Sequence, residues 1–360
     1  MLTIKLPMFL LPLPLLFRTS SRSALWQVTT SHCTSNCIRY SSSAANVTNL
    51  PRVIFSGIQP TGIPHLGNYL GALRLWATLQ NEEDEQTELF FSIVDLHAIT
   101  IKQNAKQLQQ WRKEMLASLY AVGLSPERST IFYQSSVPQH SELMWILSCT
   151  ASMGYLSRMT QWKSKLALPN NTSPLDPSPT GKAALKLGLF SYPVLQAADI
   201  LLYRTTHVPV GEDQAQHLEF ARELAIGFNH VYAPNSKGNV PLLVPPQIIM
   251  SPAKRVMSLT NPTKKMSKSD TDEKSRILIT DNENVIKKKI NRALTDSIEG
   301  VSYDREARPG VSNLINLIYH MDESVASSPE ELAKEFDGMS LKALKEKVAE
   351  TVEMHIHDET

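Results

Sequence analysis

Between residues 52 and 151 short β-branched and aromatic runs alternate with longer stretches of helical spacing. RVIFSG (52–57), LFFSIVD (89–95) and TIFYQS (130–135) read as strands. Helix patterns follow each of them, at about Leu66 to Leu79, at 103–122 and at 139–151. In the second helix Leu108, Trp111, Met115, Leu116 and Leu119 fall on one apolar face. Strands that alternate with helices predict an α/β fold, a Rossmann-like doubly wound parallel sheet.

The rhythm then changes. Residues 166–181, LALPNNTSPLDPSPTG, are rich in Pro, Asn and Ser and read as a flexible surface loop. LGLFSYPVLQAADILLY (187–203) reads as a buried helix carrying one acid, Asp199. HVPVG (207–211) reads as a strand, with a helix following from about Asp213 to Phe228. Residues 282–296, 310–321, 329–336 and 340–354 all have helical patterns, so the C-terminal part reads as an all-helical module. No internal repeat is evident.

Charge is unevenly distributed over the 360 residues. The formal net charge is +1, yet the first acid is Glu82. Residues 1–49 contain only bases: Lys5, Arg18, Arg22 and Arg39. Taking these four from the 36 Lys and Arg leaves 32 against 35 acids, so the body is mildly acidic. A nucleic-acid partner must then meet a local basic patch, not an overall field. Such an acid-free, Ser/Thr-rich leader predicts a mitochondrial transit peptide and a matrix protein. The apolar run at 7–17 keeps a secretory signal open as the rival reading. No apolar run reaches the ~20 residues of a membrane span, so no membrane partner is expected. Of three cysteines, Cys33 and Cys37 lie in the leader and only Cys149 in the body, which argues against a disulfide framework. No second Cys or His pair completes a metal site around Cys33 and Cys37, and no metal-ligating residue is expected.

Four stretches carry chemistry. PHLGN (64–68) opens a helix straight after a strand and turn, where free N–H groups and the helix dipole attract anions. Gly67 lets a ligand approach the backbone, and His65 and Asn68 offer hydrogen bonds. A plain turn and helix cap explains the same letters equally well. Asp199, within AADILLY, must be hydrogen-bonded or face a ligand, because burying an unpaired charge is costly. Either an ion pair with Arg204 or another base, or acceptance of a ligand N–H, would satisfy it. GEDQAQH (211–217) starts another helix, where Gly211 permits close approach and Glu212 and Asp213 could hold ribose hydroxyls; acids also simply favour a helix start. In TKKMSKSD (263–270) Lys265 and Lys268 bracket Met266 and Ser267. Flexible lysines suit a phosphate chain, although a solvated linker looks the same. Lys287, Lys288, Lys289 and Arg292 form a basic helix face that is either a tRNA contact or simply solvated.

The order and spacing of these stretches resemble a class I aminoacyl-tRNA synthetase. PHLGN resembles the first signature of that family, and KMSKS (265–269) matches the second letter for letter. FSGIQPTG (55–62), GNYLGAL (67–73), YPVLQ (192–196), QAADILLY (196–203) and VPVGEDQ (208–214) are similar to tryptophanyl-tRNA synthetase of the bacterial and mitochondrial type. The resemblance runs from about Arg52 to Glu353. It implies a catalytic domain at 50–262, a KMSKS loop at 263–275 and a helical anticodon-recognition domain at 276–360. Relatives of this type continue past the position of Thr360, so this module is expected to be truncated and amino-acid activation is better supported than full charging. The resemblance further implies a homodimer that uses ATP with Mg²⁺, L-tryptophan and tRNA(Trp). Lys265, Lys268, His65 and Asn68 would serve catalysis. Gln59, Pro60, Thr61, Gly67, Asn68, Gly211, Glu212, Asp213, Val256 and the loop Lys265, Met266, Ser267, Lys268 and Ser269 would bind ATP. Asp199 would accept the indole N–H, with Tyr192, Phe55, His97, Val208 and Val210 around it. Three rivals stand beside this reading: a nucleotidyltransferase of the same fold, a tyrosyl enzyme and a non-catalytic paralogue.

Overall fold

A computed structural model describes residues 50–357 apart from 167, 170–171, 174–184, 212–213, 235–239, 251–254, 269 and 323. The leader expected at 1–49 lies outside the described residues, as does most of the loop expected at 166–181. The first half builds an α/β layer. In chain order it contains β1 (Val53–Ile58), a helical run, β2 (Glu88–Ile93), α3 (Asp95–Ala98), α4 (Ala105–Ala121) and β3 (Thr130–Tyr133). The helical run after β1 has three parts: α1 (Leu66–Asn68), a π-helical turn (Tyr69–Leu73) and α2 (Arg74–Glu82). After β3 come a 3-10 turn (Gln134–Ser136), α5 (Gln139–Ser148), α6 (Met153–Arg158) and α7 (Gln161–Lys165). Then follow α8 (Leu187–Leu201), β4 (His207–Val210), α9 (Ala215–Tyr232) and β5 (Gln247–Met250).

The five strands are all parallel, in the order β3-β2-β1-β4-β5. Side chains alternate across them. Ile54 and Ile58 of β1 and Leu89, Phe91 and Ile93 of β2 face one apolar cluster, where Trp76 of α2 stacks on Phe91 with ring centroids 4.7 Å apart. Phe55 faces the other, packed with Trp162, Phe190, Tyr192 and Phe220. Helices therefore cover both faces, the arrangement a parallel sheet needs. The strand order reverses between β1 and β4, and ligands of such sheets bind in the crevice at that point.

β5 escaped the sequence reading. It is an edge strand with Ile248 and Met250 exposed, and it lacks the alternation that marks a half-buried strand. Asp95, expected at the end of a strand, instead opens α3. Beyond the sheet the chain is helical, with α10 (Glu283–Asn291), α11 (Pro309–Met321), α12 (Pro329–Glu335) and α13 (Leu341–His357). Ile286, Leu314, Leu317, Leu344, Val348 and Val352 from these helices join the same cluster as Leu66, Leu73 and Phe91. Among the described residues no helix is long and apolar enough to cross a membrane.

Candidate active site

One cleft of about 440 Å³ opens at the strand-order reversal. Its floor is the ends of β1 and β4, with Phe55, Ser56, Gly57, Val208 and Val210. One wall is α8. Tyr192, Gln196 and Asp199 are spaced i, i+4, i+7, which puts them on one helix face, and all three line the cleft. The opposite end is the helix start, with Gly67, Asn68, Gly71 and Ala72, and beyond it Val256 and Lys265.

Asp199 is 1% exposed and lies against four N–H···O contacts. His97 Nε2 donates to Oδ2 at 2.7 Å and His140 Nδ1 to Oδ1 at 2.7 Å. Gln134 Nε2 lies 2.7 Å from Oδ1 and 2.9 Å from Oδ2. Burial alone would push this carboxyl up, but the bonds from His140 and His97 hold it below its ordinary value. The ion pair with Arg204 allowed by the sequence is not formed. The Arg204 guanidinium instead donates to the carbonyls of Pro241 and Leu242, both at 3.0 Å. Gln134 is itself fixed, since its Oε1 accepts the Leu96 N–H at 3.1 Å. Asp95 fastens α3 to the 3-10 turn by accepting Ser135 N–H at 2.9 Å and Ser135 Oγ–H at 2.6 Å, and it forms an ion pair with Arg112 of α4. The two elements that carry His97 and Gln134 are thereby locked together.

The helix start is capped by its own signature. The His65 side chain accepts the Asn68 N–H at 3.3 Å, and the Asn68 side chain accepts the His65 N–H at 3.2 Å. His65 is buried and does not line the cleft. Burial, followed by the charges of Lys268, Lys265 and Arg276, pushes its imidazole down to about 3, so it is neutral near pH 7. A Cβ on Gly67 would stand 3.0 Å from that ring, so glycine keeps the cap and the cleft wall compatible.

The lysine-rich stretch is tied to this helix start. Ser258 N–H donates to Lys264 O and Met266 N–H to Val256 O, which pins residues 264–266 against 256–258. Leu66 N–H donates to Ile277 O at 2.8 Å and Ile279 N–H to Pro64 O at 3.1 Å, joining the helix start to the segment that follows the lysine-rich stretch. Lys265 is exposed and lines the cleft. Met266 does not line it; at 2% exposure it is a plug in the main apolar cluster. Lys268 Nζ donates to Gly62 O at 3.0 Å, and burial pushes its ammonium down to about 8. Gly62 has φ 108°, a left-handed conformation that favours glycine and orients this carbonyl.

Of the expected residues, Phe55, Gln59, Gly67, Asn68, His97, Tyr192, Asp199, Val208, Val210, Gly211, Val256 and Lys265 share the cleft. Pro60, Thr61, His65, Met266, Ser267 and Lys268 are near it in sequence but do not line it. Glu212, Asp213 and Ser269 lie outside the described residues. The sequence reading missed Gln134, His140, Gln161, Gln196 and Gln214. Gln134 follows directly on β3, and a polar residue at the carboxyl end of a parallel strand was the signal available. Lys165, just before the loop expected at 166–181, lines the cleft with its ammonium 4.6 Å from the Tyr192 ring centre, and burial lowers its pKa. On the basic face of α10, Lys287 pairs with Glu283 and Lys289 with Asp281, while Lys288 and Arg292 are exposed.

Residues 48–356 match the family model described as tRNA synthetases class I (W and Y). Over 303 residues the chain is 48% identical to "Tryptophan--tRNA ligase, mitochondrial" of Schizosaccharomyces pombe, covering 83% of this chain and 81% of that protein. Its fold is similar to tryptophanyl-tRNA synthetase from Mycoplasma pneumoniae, with a TM-score of 0.70 at 32% identity, covering 86% of this chain and 88% of that one. The Campylobacter jejuni tryptophanyl-tRNA synthetase, solved in complex with ADP and tryptophan, gives a TM-score of 0.62 at 32% identity and 86% coverage of both chains. A parallel sheet with a cleft at its strand-order reversal, residues of both signatures lining that cleft and nearly half of the matched residues shared with a mitochondrial relative lead to one assignment: the chain belongs to the tryptophanyl-tRNA synthetases of class I, in their bacterial and mitochondrial type.

Proposed function

We propose that this tryptophan–tRNA ligase binds the indole of tryptophan at Asp199 and the ATP phosphates between the helix start and Lys265, and that it serves mitochondrial translation. The observation that supports this most is the continuity of one cleft from Asp199 past Phe55 to Asn68 and Lys265. An amino acid with its ring at Asp199 would direct its carboxylate toward phosphates at the helix start. The carboxylate attacks the α-phosphorus, the bond to the bridging oxygen breaks, and pyrophosphate leaves. Such a displacement needs positioning and charge neutralisation more than a covalent group. Lys265, with Lys268 drawn in from Gly62, would neutralise the leaving pyrophosphate, and Lys165 is a third cation on the same cleft. A ribose hydroxyl of tRNA(Trp) then attacks the tryptophanyl carbonyl and AMP leaves.

Mg²⁺ fits as a passenger on ATP. Among the described residues no group of three His, Cys, Asp or Glu side chains could hold a metal by itself. Mg²⁺ commonly binds substrate phosphates and keeps several waters, and when bound it offsets phosphate charge. In this reading residues 50–262 form the catalytic domain, 263–275 its closing loop and 276–360 the helical anticodon-recognition domain, with 1–49 directing import to the matrix. A homodimer accounts for apolar side chains left in water on α5, α6 and α8, among them Trp145 at 73% and Leu187 at 79% exposure. The mitochondrial label of the Schizosaccharomyces pombe relative supports the location. Purified from the mitochondrial fraction of cells expressing the full chain, the protein is expected to attach labelled tryptophan to tRNA. Recovery only from the secretory pathway, or failure to form tryptophanyl-tRNA, would contradict the reading.

A further inference from the structure

We propose that His140, held in turn by Tyr203, is the positioning residue that aims the Asp199 carboxylate at the indole N–H. The proposal rests on the reading of Asp199 as the indole acceptor. His140 is fully buried on α5, behind the cleft wall, and does not line the cleft. Its ring lies between Phe132 and Tyr203, at centroid distances of 5.9 and 5.5 Å. Nδ1 is 2.7 Å from Asp199 Oδ1 and Nε2 is 2.9 Å from the Tyr203 hydroxyl.

The chemistry of the partners orients this chain of bonds. An ionised carboxylate only accepts, so Nδ1 carries the proton that faces Asp199. Nε2, the other ring nitrogen, bonds the Tyr203 hydroxyl, which fixes the ring plane from the far side. Burial, with the Asp199 charge, pushes the Tyr203 phenol up to about 12, so it keeps its proton. Tyr203 is itself clamped, with ring centroids 4.7 Å from Phe90 and 5.7 Å from Phe55.

An aspartate carboxylate turns easily about its last bond, because its rotamer well is broad. Something must therefore choose which lone pair faces the ligand. Gln134 Nε2 sits between both oxygens, so it holds the charge without choosing a rotation. His97 binds Oδ2 but lines the cleft, so it shares that oxygen with whatever enters. His140 is the contact that takes one oxygen alone and from the buried side. It pins Oδ1 and leaves Oδ2 facing the cleft.

The test uses pyrophosphate exchange with tryptophan and with its benzothiophene isostere, in which sulfur replaces the indole N–H. His140→Ala is expected to raise the tryptophan KM roughly tenfold, with little change for the isostere or for ATP. The preference for tryptophan over the isostere then collapses. His140→Asn places an amide donor where Nδ1 stood and recovers most of that preference. Tyr203→Phe lowers the preference by about threefold, as expected for loss of one hydrogen bond. Asp199→Asn is the control for the underlying reading. If Asp199→Asn leaves the preference intact, the indole assignment itself fails. If Asp199→Asn abolishes it and His140→Ala does not, the His140 proposal alone is overturned. An equal rise in KM for both amino acids, unrescued by asparagine, also overturns it and leaves His140 a merely structural role. Should the alanine variant not fold, Tyr203→Phe decides alone: an unchanged preference refutes the relay.

Discussion

Asp199→Ala should raise the KM for tryptophan by about a hundredfold while leaving the KM for ATP within a factor of about three. Two losses add up in this variant. The incoming indole N–H loses a charged acceptor, and hydrogen bonds to charged groups contribute about 1.5–3 kcal/mol. The donors His97, Gln134 and His140, which now converge on one carboxylate, are left aimed at nothing. Buried donors without acceptors cost about 1–3 kcal/mol each, and part of that cost appears as lower stability. ATP is spared because its proposed contacts lie at the other end of the cleft, around Asn68 and Lys265. Steady-state exchange kinetics with each substrate varied in turn give the answer. Equal effects on both KM values would refute the assignment of Asp199 to the indole.

Lys268→Ala should lower the rate of adenylate formation by roughly a hundredfold or more, with tryptophan affinity unchanged. Its ammonium is parked on the Gly62 carbonyl, within the loop that follows β1 and leads to the helix start. In the proposed closure it exchanges that single carbonyl for phosphate oxygens, a contact that strengthens as pyrophosphate leaves. Loss of such a contact lowers the rate, not the binding of the amino acid. The free ammonium sits at about 8, below its ordinary value because of burial. Charge on Lys268 is therefore complete well below pH 8 and is lost as pH rises through it. The kcat/KM for ATP, which reports the free enzyme, should fall above pH 8 in the parent protein, and this limb should be absent in Lys268→Ala. Single-turnover adenylation at several pH values measures both. An unchanged rate in the variant would remove Lys268 from the mechanism.

Different parts of the molecule were legible to different degrees. β1 and β2 stood out because central parallel strands are apolar along most of their length, as in VIFSGI and ELFFSI. β5 was hidden because it is four residues long and its mostly apolar run, QIIM, shows no alternation that marks a strand. Asp199 was conspicuous as one acid in an apolar helix, but most of its partners were not. His97, Gln134 and His140 come from three elements 59 to 102 residues away in sequence; the resemblance suggested His97 near Asp199, Gln134 had only its place at the end of β3 to mark it, and nothing local marks His140. Arg204 looked like the natural partner because it is near in sequence, yet its positive φ at the end of α8 carries it to the Pro241–Leu242 carbonyls. The KMSKS letters were recognisable, but their division of labour was not. Methionine in such a loop reads as part of the ligand surface, whereas Met266 anchors the loop in the core so that Lys265 and Lys268 stand on either side of a fixed point. His65 shows the same limit, since its capping bond and its neutrality depend on burial that no five-letter pattern states.

The central claim is that this cleft activates tryptophan and selects it by its ring nitrogen. Exchange of labelled pyrophosphate into ATP, measured with tryptophan and with tyrosine as the amino acid, tests it most directly. A site built to accept an indole N–H should give brisk exchange with tryptophan and a kcat/KM lower by on the order of 10⁴-fold with tyrosine. Exchange of similar efficiency with tyrosine, or none with tryptophan, would contradict it.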